Sequence, residues 1–148
     1  MRRLVVLIAL ISMASIGACS SDDERLTSEE FLEQGNAICA AGNAEIEEAG
    51  SELFASADPS GEEVAAFIED TLAPSIQGQI DDLEALSPPE ELQEPVDEML
   101  ADARTALDDM RETAANDPEA FFASEENPFA DVNAQAKVIG LAACAEDS

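Results

Sequence analysis

This chain of 148 residues has 34 Asp and Glu, six Lys and Arg, three Cys and no His, so few chemistries are open to it. Without histidine it lacks the commonest general base and metal ligand. The Ser-His-Asp and Cys-His arrangements go with it. Carboxylates remain, and four adjacent pairs stand out: Asp22-Asp23, Asp81-Asp82, Asp108-Asp109 and Glu125-Glu126. Glycosidase-type chemistry needs two carboxyls facing across a cleft with their pKa values pushed apart. Among so many acids, adjacency alone does not select a pair, and no catalytic residue is assigned. Gly35, Gly42 and Gly50 fall inside a helical pattern and lack the spacing of a phosphate-binding loop. No stretch alternates oxygen ligands around a central glycine with a final Glu, as a calcium loop requires. The expectation is a non-enzyme with no cofactor and no metal.

The cysteines carry the remaining chemistry. Met1-Arg2-Arg3 is basic, Leu4 to Ile11 is apolar, and Ser12 to Ala18 is small or apolar. That is the pattern of an export signal. The uncharged run, residues 4–18, falls short of the roughly 20 residues that a spanning helix needs. It ends in Ile16-Gly17-Ala18-Cys19, an aliphatic residue, two small residues and a cysteine. This matches the lipobox of bacterial lipoproteins. The small residues let an extended backbone enter a peptidase cleft. The Cys19 thiol takes a diacylglyceryl group, and cleavage leaves Cys19 as the first residue. A single acyl chain such as palmitate binds a membrane marginally, whereas two anchor it stably. The expected organisation is a signal peptide over 1–18, a lipidated tether over 19–26 and a helical domain over 27–148. The expected location is the outer face of the cell membrane. With Cys19 acylated, Cys39 and Cys144 remain as an even pair in an oxidising compartment, and a disulfide between them is expected. A reactive thiol would instead need an electropositive site, and these surroundings are acidic.

Loss of Arg2 and Arg3 with the signal leaves Arg25, Arg104, Arg111 and Lys137 against all 34 acids, so the net charge moves from −28 to −30. Nucleic-acid binding is excluded, because phosphate contacts need Lys and Arg. Such self-repulsion costs stability at low salt while aiding solubility. The acids are spread along every expected helix, which reads as a solvated acidic surface. The sharper alternative is an acidic face for a cationic partner or divalent ions.

These residues must be positioned by helices. Thr27-Ser28-Glu29-Glu30 is a capping box that starts a first helix running to about Ala57, where Asp58-Pro59 ends it. Phe31, Ile38, Cys39, Ile46, Leu53 and Phe54 share one face. Gly35, Gly42 and Ala49 lie on or beside it and would admit a close neighbour. Ser60-Gly61-Glu62-Glu63 opens a second helix. Its stripe is Val64, Phe67, Ile68, Leu72, Ile76, Ile80, Leu83 and Leu86, with a kink expected near Asp70–Thr71 from Pro74. Ser87-Pro88-Pro89-Glu90 reads as a third capping box with Pro88 at the first helical position. Leu92, Val96, Met99, Ala103, Leu107 and Met110 follow on one face, with Pro95 near the first turn. Phe121, Phe122 and Phe129 fall before the last helix. They are expected to cap the open end of the core, or else to form an apolar patch for a partner or ligand. The last helix is expected from about Asp131 to Ala145, with Val132, Ala136, Ile139 and Ala143 on one face. The fold class is therefore all-α: an antiparallel bundle of three long helices and a shorter fourth. Running back along the first helix, the fourth would bring Cys144 to Cys39.

Three short motifs carry a resemblance. They are Asn36-Ala37-Ile38-Cys39, Leu83-Glu84-Ala85-Leu86-Ser87-Pro88-Pro89-Glu90-Glu91-Leu92 and Gly140-Leu141-Ala142-Ala143-Cys144. The chain resembles the small helical lipoproteins and secreted proteins of high-GC Gram-positive bacteria. The resemblance implies a bundle stapled between its first and last helices. It implies no assigned activity, and no catalytic residue is carried over.

The functional expectation is a membrane-anchored, non-enzymatic acidic module that binds another component of the cell envelope. A second reading is an apolar ligand or lipid held between the helices. A third is an envelope hydrolase using paired carboxylates.

Overall fold

A computed structural model of the chain describes residues 25–55, 59–117 and 127–146. Ile16 to Cys19, Asp22-Asp23, Phe121, Phe122 and Glu125-Glu126 lie outside those residues. Among the described residues the fold is all-helical, without strands.

Helix α1 (Ser28–Phe54) opens as the sequence predicts. The Glu30 amide donates to the Thr27 hydroxyl, and the Thr27 amide donates to the Glu30 carboxylate at 3.0 Å. Its buried face carries Phe31, Gly35, Cys39 and Ile46. The helix ends at Phe54, three residues short of Ala57, and Phe54 leaves the expected buried face, being 54% exposed.

Helices α2 (Gly61–Phe67) and α3 (Ala73–Ala85) are joined without a break by a π-helical turn over Ile68–Leu72. The cause is Pro74. It supplies no N–H, and its ring would meet the carbonyl four residues back. Widening the turn absorbs the ring, and the Ala73 amide bonds instead to the Ile68 carbonyl, five residues back. The distortion thus falls where the sequence places a kink.

Helix α4 (Glu90–Asn116) corrects the third capping box. Its N-cap is Pro89, with no side-chain capping bond, and Pro88 is not helical. A residue that precedes proline is pushed out of the α region. Ser87 and Pro88 both precede one, so helix cannot start until after the second. Pro95 consequently lies inside the helix. The stripe is otherwise as read, with Leu100 and Ala114 added to it.

Helix α5 (Ala130–Ile139) is shorter than the expected Asp131–Ala145. Gly140 stops it with φ of 103°, a left-handed conformation that glycine adopts without strain. Leu141 then turns inward and is fully buried, and a 3₁₀ turn covers Ala142–Ala145.

Neighbouring elements pack in a closed order: α1 on α3, α3 on α4, α4 on α5, and the 3₁₀ turn back on α1. One core results, with Phe31, Ile68, Met99, Leu107 and Leu141 at or near zero exposure. No described Asp, Glu, Lys or Arg is buried.

Candidate functional site

The three motifs behind the resemblance turn out to be fastenings. Asn36, Cys39 and Asn43 recur at helical spacing on α1 and all reach the C-terminal turn. The Asn36 amide group donates to the Gly140 carbonyl at 3.3 Å, and its oxygen accepts from the Ala143 amide at 2.8 Å. Asn43 donates to the Ala143 carbonyl at 2.8 Å. Between them, Cys39 and Cys144 sit at disulfide distance, with Cα atoms 5.0 Å apart across 105 residues of chain. Leu141 drops beside Gly35, where a Cβ would stand 2.6 Å from the Leu141 Cδ2. A short irregular turn with few hydrogen bonds of its own is thus held by two amide side chains, a sulfur pair and one buried leucine.

The middle motif is the second fastening. The Arg25 guanidinium donates to the Pro88 carbonyl at 2.9 Å and to the Gln93 amide oxygen at 2.7 Å. The Leu26 amide donates to the Ser87 carbonyl at 2.8 Å, and the Ser28 hydroxyl to Glu91 at 3.0 Å. Leu26 packs against the core. Arg25 and Leu26, read from sequence as tether, are therefore held on the helical domain.

The acids are arranged as a surface. Asp81, Asp82, Asp108 and Asp109 are all exposed. Asp81 accepts from Gln77 at 2.9 Å, and Asp108 pairs with Arg111 at 3.8 Å. Adjacent helical residues project about 100° apart, so neither pair forms a clamp. Among the described residues no group of three His, Cys, Asp or Glu is placed to hold a metal ion. Among the described residues three carboxyls are displaced, all downward. Glu30 is lowered by hydrogen bonds from the Thr27 hydroxyl and then its amide. Glu63 is lowered by the Ser60 amide and then its hydroxyl. Glu91 is lowered by its own amide and then by Ser28. The first two are the marks of capping, and the third comes from the α4 N-terminus and the Ser28 fastening. A general acid would need its carboxyl raised.

A cleft of about 1040 Å³ lies between α1, the α2–α3 helix, α4 and α5. Its apolar wall includes Ile46, Phe67, Ile76, Phe129 and Val132. Its floor is closed, because Ile80 is 3% exposed and Met99 and Met110 are each 2% exposed. The hollow therefore rests on the core without entering it. Glu47 and Glu146 line it, and no Lys or Arg does among the described residues.

Sequence reasoning missed Asn36, Asn43, Arg25 and Leu141 as fastening residues. A signal existed for the last: Lys137 followed by Gly140 is a helix stop, after which Leu141 need not follow the helical stripe. No helix among the described residues is long and apolar enough to cross a membrane. No family model, curated protein or solved structure matches the chain.

Proposed function

We propose that this protein is an extracytoplasmic lipoprotein, anchored through a diacylglyceryl group on Cys19, whose acidic helical domain binds another component of the cell envelope. It is read as a relative of the small helical lipoproteins of high-GC Gram-positive bacteria. The observation that carries the proposal is the pairing of Cys39 with Cys144. Three cysteines resolve into one anchor and one staple only if the chain is exported, and disulfides persist in oxidising compartments. The lipobox Ile16-Gly17-Ala18-Cys19 supplies the anchor, and the described acids all lie on the surface, where they are open to a cationic partner.

The domain is an antiparallel bundle in this reading. Support comes from the register of α1 against the α2–α3 helix. Leu26 meets Ser87, Gly35 meets Leu83, Gly42 meets Gln79 and Gly50 meets Phe67. Partner numbers fall as α1 numbers rise.

Cys19→Ala tests the anchor directly. Lipid labelling should vanish and the protein should leave the membrane fraction. A variant that stays membrane-bound would refute the anchor. A second reading, an apolar ligand, is favoured by the cleft between the helices. Extraction of the purified protein with organic solvent should then yield a stoichiometric apolar compound, and an empty extract would dismiss that reading.

A further inference from the structure

The chain that arrives from the membrane meets the helical domain at one place, and that place is built. Within residues 25–28, Arg25, Leu26 and Ser28 make four hydrogen bonds to the segment 87–93. Two of the acceptors are the Ser87 and Pro88 carbonyls. The α4 ladder begins only after Pro89, so both carbonyls are available to an outside donor. Arg25 is one of four cations left after the signal is removed; Glu29 and Glu30 follow it closely in sequence, and Glu90, Glu91 and Glu94 flank its partner Gln93 in sequence. Its guanidinium nonetheless bonds to neutral oxygens. The contact is a geometric clip whose strength does not depend on an ion pair, so salt screens it little.

We propose that this clip sets the orientation of the domain on the membrane. The end bearing the Ser87–Pro89 turn faces the lipid, and the end bearing Ser60 and the start of α2 points outward. The inference rests on the reading of Cys19 as the anchor. Only residues 20–24 separate that anchor from Arg25, and five residues span at most about 18 Å. Helix α1 has 27 residues and rises about 40 Å. Its contacts run from the clip at Leu26 to Phe67 beside Gly50, so α2 lies one helix length from the clip. The exposed acids along the flanks of α1, α3 and α4 repel anionic lipid, which opposes lying flat on it. A tether held at one corner and flanks that shun the surface together hold the domain upright.

The test uses the full-length lipidated protein in phosphatidylcholine–phosphatidylglycerol vesicles that carry an acceptor-labelled lipid. A donor dye is placed through a non-natural amino acid at position Glu29 or at position Glu62, leaving the cysteines untouched. With the sites about 40 Å apart along the helix axis, energy transfer from Glu29 should exceed that from Glu62 by about fivefold or more. Arg25→Ala combined with Gln93→Ala should shrink that ratio at least about twofold while helix content and the Cys39–Cys144 pairing persist. Equal transfer from both sites in vesicle-bound wild-type protein would overturn the orientation. An unchanged ratio in the double variant would overturn the clip as its cause. Protein that fails to float with the vesicles would instead reject the anchor itself, and the orientation with it.

Discussion

Gly35 and Gly78 stand on neighbouring helices, yet alanine at each should act in opposite directions. At Gly35 the new Cβ would meet Leu141 at 2.6 Å and Leu83 at 3.3 Å. Leu141 and Leu83 are both buried and have no open space to retreat into, so overpacking of about 1–3 kcal/mol outweighs the gain of up to about 1 kcal/mol in helix propensity. At Gly78 no atom lies within 4 Å, so alanine should add up to about 1 kcal/mol through helix propensity alone. Thermal melts of Gly35→Ala and Gly78→Ala should move down and up respectively. Two shifts of the same sign would refute the packing described here. The sequence identifies Gly35 as a point of close approach, because a small residue sits on the apolar face of α1. It does not identify what approaches. Leu141 reaches the notch only because Gly140 takes a left-handed conformation, and a stripe extended at helical period past residue 139 sends it elsewhere. Cys39 and Cys144 were legible by elimination, whereas Asn36 and Asn43 were not. A polar residue on a helix announces its partner only once the fold has delivered one.

Two of the three capping boxes form, and their failure and success have separate causes. Thr27 and Ser60 precede ordinary residues, so the hydroxyl reaches its amide. Ser87 precedes two prolines that hold the chain extended, and its box cannot close. The formed boxes lower the carboxyls of Glu30 and Glu63. A carboxyl whose folded pKa lies below its unfolded value adds stability above the unfolded value, here near 4.5. That stability is lost as pH falls through the folded value. Thr27→Ala and Ser60→Ala should each cost about 1 kcal/mol at neutral pH. The gap between variant and wild-type melting temperatures should narrow below pH 4.5 as the boxes lose their charged partner. A gap constant down to strong acid would show that the carboxylates contribute nothing. Among the described residues the existence of each long helix was readable from period and caps, although the ends of α1, α4 and α5 were not. The π turn was readable in place but not in kind, since Pro74 dictates that the ladder must yield without dictating how.

The molecule as a whole carries a net charge of −28 as translated, and its described acids sit on the surface. Screening should relieve their mutual repulsion, so added salt should raise the melting temperature. A flat response would mean that the charge is accommodated without cost. Against that repulsion stands a loop of 105 residues closed by one sulfur pair. In the chain-entropy model a loop of about 100 residues contributes about 4.7 kcal/mol. An all-helical chain with a staple between its first helix and its last turn follows from sequence period and cysteine arithmetic. The identity of the proposed envelope partner does not, because an acidic surface records the sign of a partner's charge and little else. The central claim is that one cysteine anchors and the other two pair. Mass spectrometry of protein purified from its native membrane tests it in a single digest. The expected spectrum contains an N-terminal peptide that begins at a diacylglyceryl-modified Cys19, together with a linked peptide joining Cys39 to Cys144. An N-terminal peptide beginning elsewhere, an unmodified Cys19, or free thiols at Cys39 and Cys144 would contradict it.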